Sequence, residues 1–347
     1  MMVIGIDAHK RTHTAVSADE LGRKLSTKTV GTTSTDHLAL LKWARAQPDP
    51  ERLWALEDCR NMTRRLESDL IAAGERVVRV PPKLMAHARD SARTYGKSDP
   101  IDALAIARAA LREPDLPVAR LDGVERELRL LVDHREDLVA ERTRVIARLR
   151  WHLHELDPGW LPPGKLERAS AYDRVAAHLA QFDEFVARLA MTLIHHCRRL
   201  TVEIDELAGE IGERVQQIAP SLLAIVGCAA LTAAKIIGET AGVDRFRSKD
   251  AFARHNGSAP LPVWSSNRAR HRLSRTGNRQ LNAALHRIAL TQARCHPGAR
   301  ALLAKRKAKG DGGMEALRIL KRRLSDVVYH AMIADLDHRS AETPTAA

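Results

Sequence analysis

The chain has 347 residues, 44% hydrophobic and only 3% aromatic, which leaves room for one large domain or two to three smaller ones with cores of Ala, Leu, Val and Ile. No run of about 18 apolar residues occurs, which excludes a helical membrane span. Cys59, Cys197, Cys228 and Cys295 are far apart with no CxxC, which argues against a zinc or disulfide framework and for a reducing compartment. The net charge of +13 lies in the last third, where residues 216–347 carry 22 Lys+Arg against 9 Asp+Glu, a balance that suits a polyanionic partner.

Residues 2–7 (MVIGID) read as a buried strand that ends in an acid, without a signal-peptide layout. Residues 12–18 and 24–30 alternate like two further strands, completing an antiparallel meander. A helix over 35–46, capped by Thr35, leads to a short apolar strand at 53–57 (LWALE). A helix over 61–73 ends at Gly74, and a strand at 76–80 ends at Pro81-Pro82. Helices follow over 83–92 and 100–111. Three meander strands and then βαβ-type alternation predict a mixed sheet in an α/β layout of the ribonuclease-H-like kind.

From 121 to 156, Leu128, Leu131, Leu138, Val145, Leu149 and Leu153 recur at helical spacing, and 157–165 (DPGWLPPGK) breaks the pattern. A second helical run spans 171–217. The pair reads as a helical hairpin or coiled coil, with packing inside one chain and dimerisation both open. Beyond it, 221–239 is helical, 259–290 reads as two helices around a basic loop, 299–306 is helical, 307–313 is a turn, and 314–335 is a closing helix. The divisions are thus 1–115, 116–215, 216–335 and a disordered tail, 336–347.

Four acids stand out. Asp7 ends the first strand and Glu57 ends LWALE, while Asp99 and Asp102 are spaced to share one helical face. Acids at strand ends and on one helix can converge over a sheet edge. Carboxylates so placed repel unless cations fill the site, and the chemistry that needs them is a pair of Mg²⁺ ions about 4 Å apart clamping a phosphodiester. Lys97 would then touch a phosphate. Asp99 also reads as a plain N-cap before Pro100, and Asp58 is an alternative to Glu57. His9 and His13 fall across a strand-to-strand turn and read as surface or DNA-near residues, not ligands.

The stretches GIDAHKRTHTAV, WALEDCRNMTRRL and KSDPIDALAIARAAL resemble the three acidic motifs of the DEDD transposases of insertion sequences. These are the IS-one-ten type, related to the Piv-like site-specific invertases. The stretch AIVGCAALTAAKIIGE, followed by FRSKDAFARHNGSAPLPVWSSNRARHRLSRTGNRQLNAAL, resembles the second conserved domain of that family.

The resemblance implies a RuvC-like N-terminal domain holding Mg²⁺ on Asp7, Glu57, Asp99 and Asp102. It also implies a C-terminal transposase domain whose serine attacks DNA to form a covalent phosphoserine link. A structured noncoding guide RNA and a homo-oligomer, dimer or tetramer, are implied as well, in a bacterial cytoplasm near the nucleoid. Ser265 aligns with the motif serine and Ser266 stands where glycine is usual, so Ser266 is the alternative nucleophile. Arg268, Arg270, His271, Arg272, Arg275 and Arg279 form a cationic segment suited to phosphate contacts. Residues 222–236 resemble a helix-hairpin-helix whose Gly227 turn would face phosphate, with Ala229 replacing the usual second glycine. Two other readings are a water-activating nuclease or junction resolvase, and a noncatalytic nucleic-acid scaffold.

Overall fold

A computed structural model describes residues 1–57, 62–90, 98–113, 116, 118–119, 123–265, 268–272 and 277–342. The chain divides into two compact units, Met1–Asp122 and Gly123–Ala347.

In the first unit the meander forms as expected: β1 (Met2–Ala8), β2 (His13–Ala18) and β3 (Lys24–Val30). Then come α1 (Ser34–Arg45), β4 (Arg52–Glu57), α2 (Arg64–Ala72), β5 (Val77–Val80), α3 (Pro82–Asp90) and α4 (Asp99–Arg112). The sheet order is β3-β2-β1-β4-β5, with β1, β2 and β3 antiparallel neighbours and β1, β4 and β5 parallel. That order and polarity are those of the ribonuclease-H-like fold.

β1 is buried at all seven positions because both its faces are covered. Met2, Ile4, Ile6 and Ala8 join the core with Leu40 and Ala44 of α1 and Leu66 and Leu70 of α2. On the other face, Val3 clusters with Ala105, Ile106 and Ala109 of α4. Gly5 shares this second face. A Cβ at Gly5 would lie 2.0 Å from the Ala103 carbonyl oxygen and 2.6 Å from the Ala107 nitrogen, both backbone atoms. The alanines of α4 and the glycine of β1 therefore let helix and strand meet backbone to backbone. Helix α1 is capped by Thr33 in a reciprocal capping box with Asp36, not by Thr35: a cap needs extended backbone, and Thr35 is already inside the helix.

The second unit contains α5 (Val124–Leu156), α6 (Ala169–Leu179), α7 (Phe185–Ile218), α8 (Pro220–Leu223), α9 (Ala230–Thr240) and α10 (Lys249–His255). A β-hairpin of β6 (Leu261–Ser265) and β7 (Arg268–Arg272) follows, then α11 (Arg279–Cys295), α12 (Pro297–Ala308) and α13 (Gly313–Glu342). Helices α5 and α7 run antiparallel, as Glu127–Arg214, Arg142–Thr201 and Glu141–His196 contacts show. One end of the pair packs around Tyr172 and Val175 of α6. At the other end, Leu128, Val132, Ile211 and Val215 enter the same core as Ile236, Leu285 and Val328. Lys235 of α9, 3% exposed, donates to Asp133 Oδ1 at 3.2 Å and Glu136 Oε2 at 2.8 Å of α5.

Three sequence expectations need correction. The run over 171–217 is two helices, broken at residues 180–184, where Phe182 turns into the α6–α7 core. The stretch 259–290 is a strand hairpin followed by one helix, not two helices: Leu261 pairs with Arg272, and Ser265 with Arg268. Helix α13 runs past Asp335 to Glu342, because Asp335 is buried and its carboxylate accepts from the Ser221 and Leu222 backbone N–H groups at 2.8 and 3.3 Å.

Candidate active site

Asp7 is on β1, two residues beyond Gly5, and so on the face covered by α4. It is 7% exposed. The parallel register pairs Ile6 with Leu56, which puts Glu57 beside Asp7 at the carboxyl end of the neighbouring strand. Leu53 and Ala55 cluster with α4, so the two-residue period places Glu57 on that same face.

Helix α4 brings the other two acids. Ser98 holds the N-cap position, with extended backbone and no side-chain cap bond, while Asp99 is already in the first helical turn. The plain-cap reading of Asp99 is therefore wrong: Pro100, lacking an N–H, sits at the second helical position, and the cap falls one residue earlier. Asp102, one turn on, is buried and accepts from Arg89 Nη1 of α3 at 3.1 Å.

His9 lies in this cluster. Its Nε2 is 3.1 Å from Asp7 Oδ2 and 3.5 Å from Asp99 Oδ1. Among the described residues, Asp7, His9 and Asp99 are the group whose ligand atoms all lie within 4.8 Å of one another. Glu57 and Asp102 are outside it. The sequence reading sets His9 aside because it falls with His13 across a strand-to-strand turn; the useful signal is its place two residues after the strand-ending acid. Arg89 was missed altogether, and no sequence pattern marks it.

Burial raises the Asp7 pKa above its ordinary value, and the Asp102 and Asp99 carboxylates push the same way, against His9. Carboxylate oxygens at this spacing suit a hard divalent ion, and the imidazole of His9 adds a donor that Mn²⁺ accepts more readily than Mg²⁺.

His13 belongs elsewhere. It is 1% exposed, its ring centroid is 5.4 Å from that of His37, and burial with the nearby His37 and His9 lowers its pKa to about 4. His37 in turn holds Asp69 Oδ2 at 2.6 Å. The unfolded chain protonates His13 near its ordinary value of 6.5, while the folded chain keeps it neutral down to about 4. Between those values the unfolded state binds more protons, so stability falls as pH is lowered through this window. Urea unfolding at pH 7 and pH 5 should show a loss on the order of 1–2 kcal/mol. A His13→Gln variant should lose less.

In the second unit, Ser265 is the last residue of β6 and pairs with Arg268, so it sits where the two-residue link of the hairpin begins. Arg268, Arg270, His271 and Arg272 fall on β7, opposite Ser265, Val263, Pro262 and Leu261. Arg279 is exposed at the first position of α11. Lys97, Asp58, Ser266 and Arg275 lie outside the described residues. The Gly227 turn packs on α11: at φ +89°, a Cβ there would meet Thr291 Cβ at 2.9 Å, and Gln292 Nε2 donates to the Val226 carbonyl at 3.0 Å. This close packing accounts for the glycine.

Two family models match the chain. Residues 4–158 match a DEDD-type model described as "Transposase", and residues 219–304 match "Transposase IS116/IS110/IS902 family". The uncharacterized 44.8 kDa protein of insertion element IS116 from Streptomyces clavuligerus is 28% identical, over 96% of this chain and 94% of its own length. The uncharacterized 42 kDa protein of insertion element IS900 from Mycobacterium paratuberculosis is 29% identical, over 99% and 98%. The chain belongs to the IS110 family of DEDD transposases. Two Thermus thermophilus RuvC structures are also similar, one in complex with a Holliday junction substrate. They show 17% and 18% identity with TM-scores of 0.28 and 0.25, covering 34% and 31% of this chain and 99% and 92% of theirs.

The first family model spans Asp7, His9, Glu57, Asp99 and Asp102, and the second spans the β6–β7 hairpin with Ser265. The transposase thus carries its acidic cluster and its hairpin serine in different units.

Proposed function

We propose that this transposase cleaves and exchanges DNA strands using divalent metal, Mg²⁺ in the first instance, held by Asp7, Asp99, Asp102 and Glu57, with Ser265 as the nucleophile. The observation that carries the reading is the meeting of Asp7, His9 and Asp99 on the α4 face, where burial and the neighbouring Asp102 and Asp99 raise the Asp7 pKa. Two ions bound there would polarise the phosphate and stabilise charge on the attacking and leaving oxygens. Asp7 and Asp99 would hold one ion, with Glu57 and Asp102 completing the set. Arg89 fixes the rotamer of Asp102, and His9 orients Asp7.

Ser265 Oγ would form a bond to phosphorus as a P–O bond of the strand breaks. The serine gives up its proton and the departing oxygen takes one up, leaving a phosphoserine ester that a second strand's hydroxyl can later open. The hairpin supports this role by presenting Ser265 at the start of its tip, next to the cationic segment Arg268–Arg272 that would hold phosphates. Lys97, Arg275 and Arg279 would extend these contacts. In the assembled homo-oligomer, the serine of one subunit would meet the acids of another, and a structured noncoding RNA would choose the donor and target sequences.

Ser265→Ala tests the nucleophile. Incubated with element-end DNA and Mg²⁺, then denatured, the wild type should leave a covalent protein–DNA adduct whose phosphate maps to residue 265, and the variant none. Strand exchange by Ser265→Ala at the wild-type rate would end the serine reading.

A further inference from the structure

A groove of about 630 Å³ opens in the second unit between α11, α13 and the root of the β6–β7 hairpin. Gly257, Gly277, Arg279, His286, Arg318 and Lys321 line it. Among the described residues no acid lines it, although the chain holds 43 Asp+Glu.

Lys321 is the unusual member. It is 7% exposed, and its Nζ donates to Asn282 Oδ1 at 2.8 Å. The Asn282 amide is held in that orientation by its own donation to the Asn256 carbonyl at 2.7 Å. Among the described residues no carboxylate pairs with Lys321, Arg318 or Arg279. The other buried lysine, Lys235, has two carboxylate partners. A buried ammonium without a counter-ion is costly to keep. Burial and the neighbouring Arg318 lower the Lys321 pKa, and burial with Lys321 lowers that of His286. An anion placed beside the Lys321 ammonium and the Arg318 guanidinium supplies the counter-charge that burial makes costly to lack.

The groove's shape narrows the anion. It is far larger than a single phosphate, and it has an apolar side formed by Met314, Leu317 and Ala283. A repeating strand of phosphates and sugars presents both characters; a small free anion presents one. The two glycines form the rim, where a Cβ at Gly277 would lie 2.2 Å from the Gly257 nitrogen, so the backbones touch there and leave no side chain in the way.

We infer that this groove binds the phosphodiester backbone of a nucleic-acid strand, with Lys321, Arg318, Arg279 and His286 as its phosphate contacts. The inference rests on reading the second unit as the part that handles nucleic acid, but not on any role for Ser265. A strand seated here would lie at the root of the hairpin that carries the serine.

The test uses the full chain and fluorescence anisotropy, with labelled single-stranded DNA, duplex DNA and RNA of mixed sequence over a series of KCl concentrations. Arg318 is exposed on α13, so Arg318→Gln should fold normally. It should weaken binding of at least one of the three by about tenfold, the scale of one charged hydrogen bond. It should also flatten the slope of log affinity against log salt by about 1. Lys321→Met should do the same where circular dichroism shows a native fold, and Arg287→Gln, on the exposed side of α11, should change neither quantity. Which probe responds identifies the strand. Wild-type affinity and slope for all three probes in Arg318→Gln would overturn the inference while leaving the DNA-handling reading standing. So would a groove that takes up inorganic phosphate alone, seen as a Tm rise that Arg318→Gln abolishes with strand binding intact. A wild-type chain that binds none of the three probes would remove both readings.

Discussion

Replacing Gly5 by alanine should disable this transposase without touching an acid. The added methyl would fall 2.0 Å from the Ala103 carbonyl oxygen and 2.6 Å from the Ala107 nitrogen, and neither backbone atom can rotate away as a side-chain end would. Helix α4 must lift off β1. Overpacking of this kind costs about 3 kcal/mol, at the upper end of the usual range because backbone must move. For a unit of this size the melting temperature should drop by on the order of 10 °C. Catalysis should fall further than the folded fraction, because α4 carries Asp99 and Asp102 to Asp7, and a shift of about 1 Å in positioned groups costs roughly a hundredfold in rate. Differential scanning calorimetry and a strand-cleavage assay at a temperature where the variant is folded separate the two effects. A variant with wild-type melting and cleavage would show that the contact between α4 and β1 is looser than the structure has it.

Asp7→Asn should act in the opposite sense on stability. The Asp7 pKa is raised in the folded chain, so the ionised form is disfavoured there and weakens the fold at neutral pH, a strain relieved on acidification. Asparagine has a similar shape and no charge. Without divalent metal, the variant should therefore melt slightly above the wild type. Adding Mg²⁺ or Mn²⁺ should stabilise the wild type by mass action and leave Asp7→Asn nearly unmoved. Cleavage should fall by on the order of a thousandfold, as for loss of a group that stabilises transition-state charge, while DNA binding persists. Equal metal-induced shifts in both proteins would remove Asp7 from the ligand set. The crossover, more stable yet inactive, is the signature of charge kept for function.

Much of this site was legible because its signals are local. The apolar run that ends in Asp7 reads as a buried strand, and alternation over 12–18 as a meander strand, so the strand-ending acids followed from position alone. The helix over 100–111 was legible too, but nothing in its alanines named Gly5 as the residue they would meet. Other features depend on contacts that no local pattern carries. Arg89 reaches Asp102 from a different helix. The basic segment at 268–272 does alternate, with Ala269 and His271 between arginines, but charge density hid the period and suggested a loop. Its strand character comes from pairing with Leu261–Ser265, a partner that the sequence leaves unassigned. The break between α6 and α7 contains neither Gly nor Pro, and exists because Phe182 finds a place in the core.

The contact of Gly257 with Gly277 bears on how such an element diversifies. Helices α9, α10 and α11 hold these two positions together by bonds of their own: the Asn278 N–H donates to the His255 carbonyl of α10 at 2.7 Å, and the Asn278 side chain donates to Glu239 of α9 at 2.6 Å. The helices close this clamp on their own, so lengthening or rewriting the sequence between Gly257 and Gly277 adds only the slow, logarithmic entropy of a longer loop. On this geometry the β6–β7 hairpin can be rewritten or lengthened while the helical frame that closes it stays as it is. The same freedom does not extend to the acidic unit, where Gly5 ties helix to strand atom by atom.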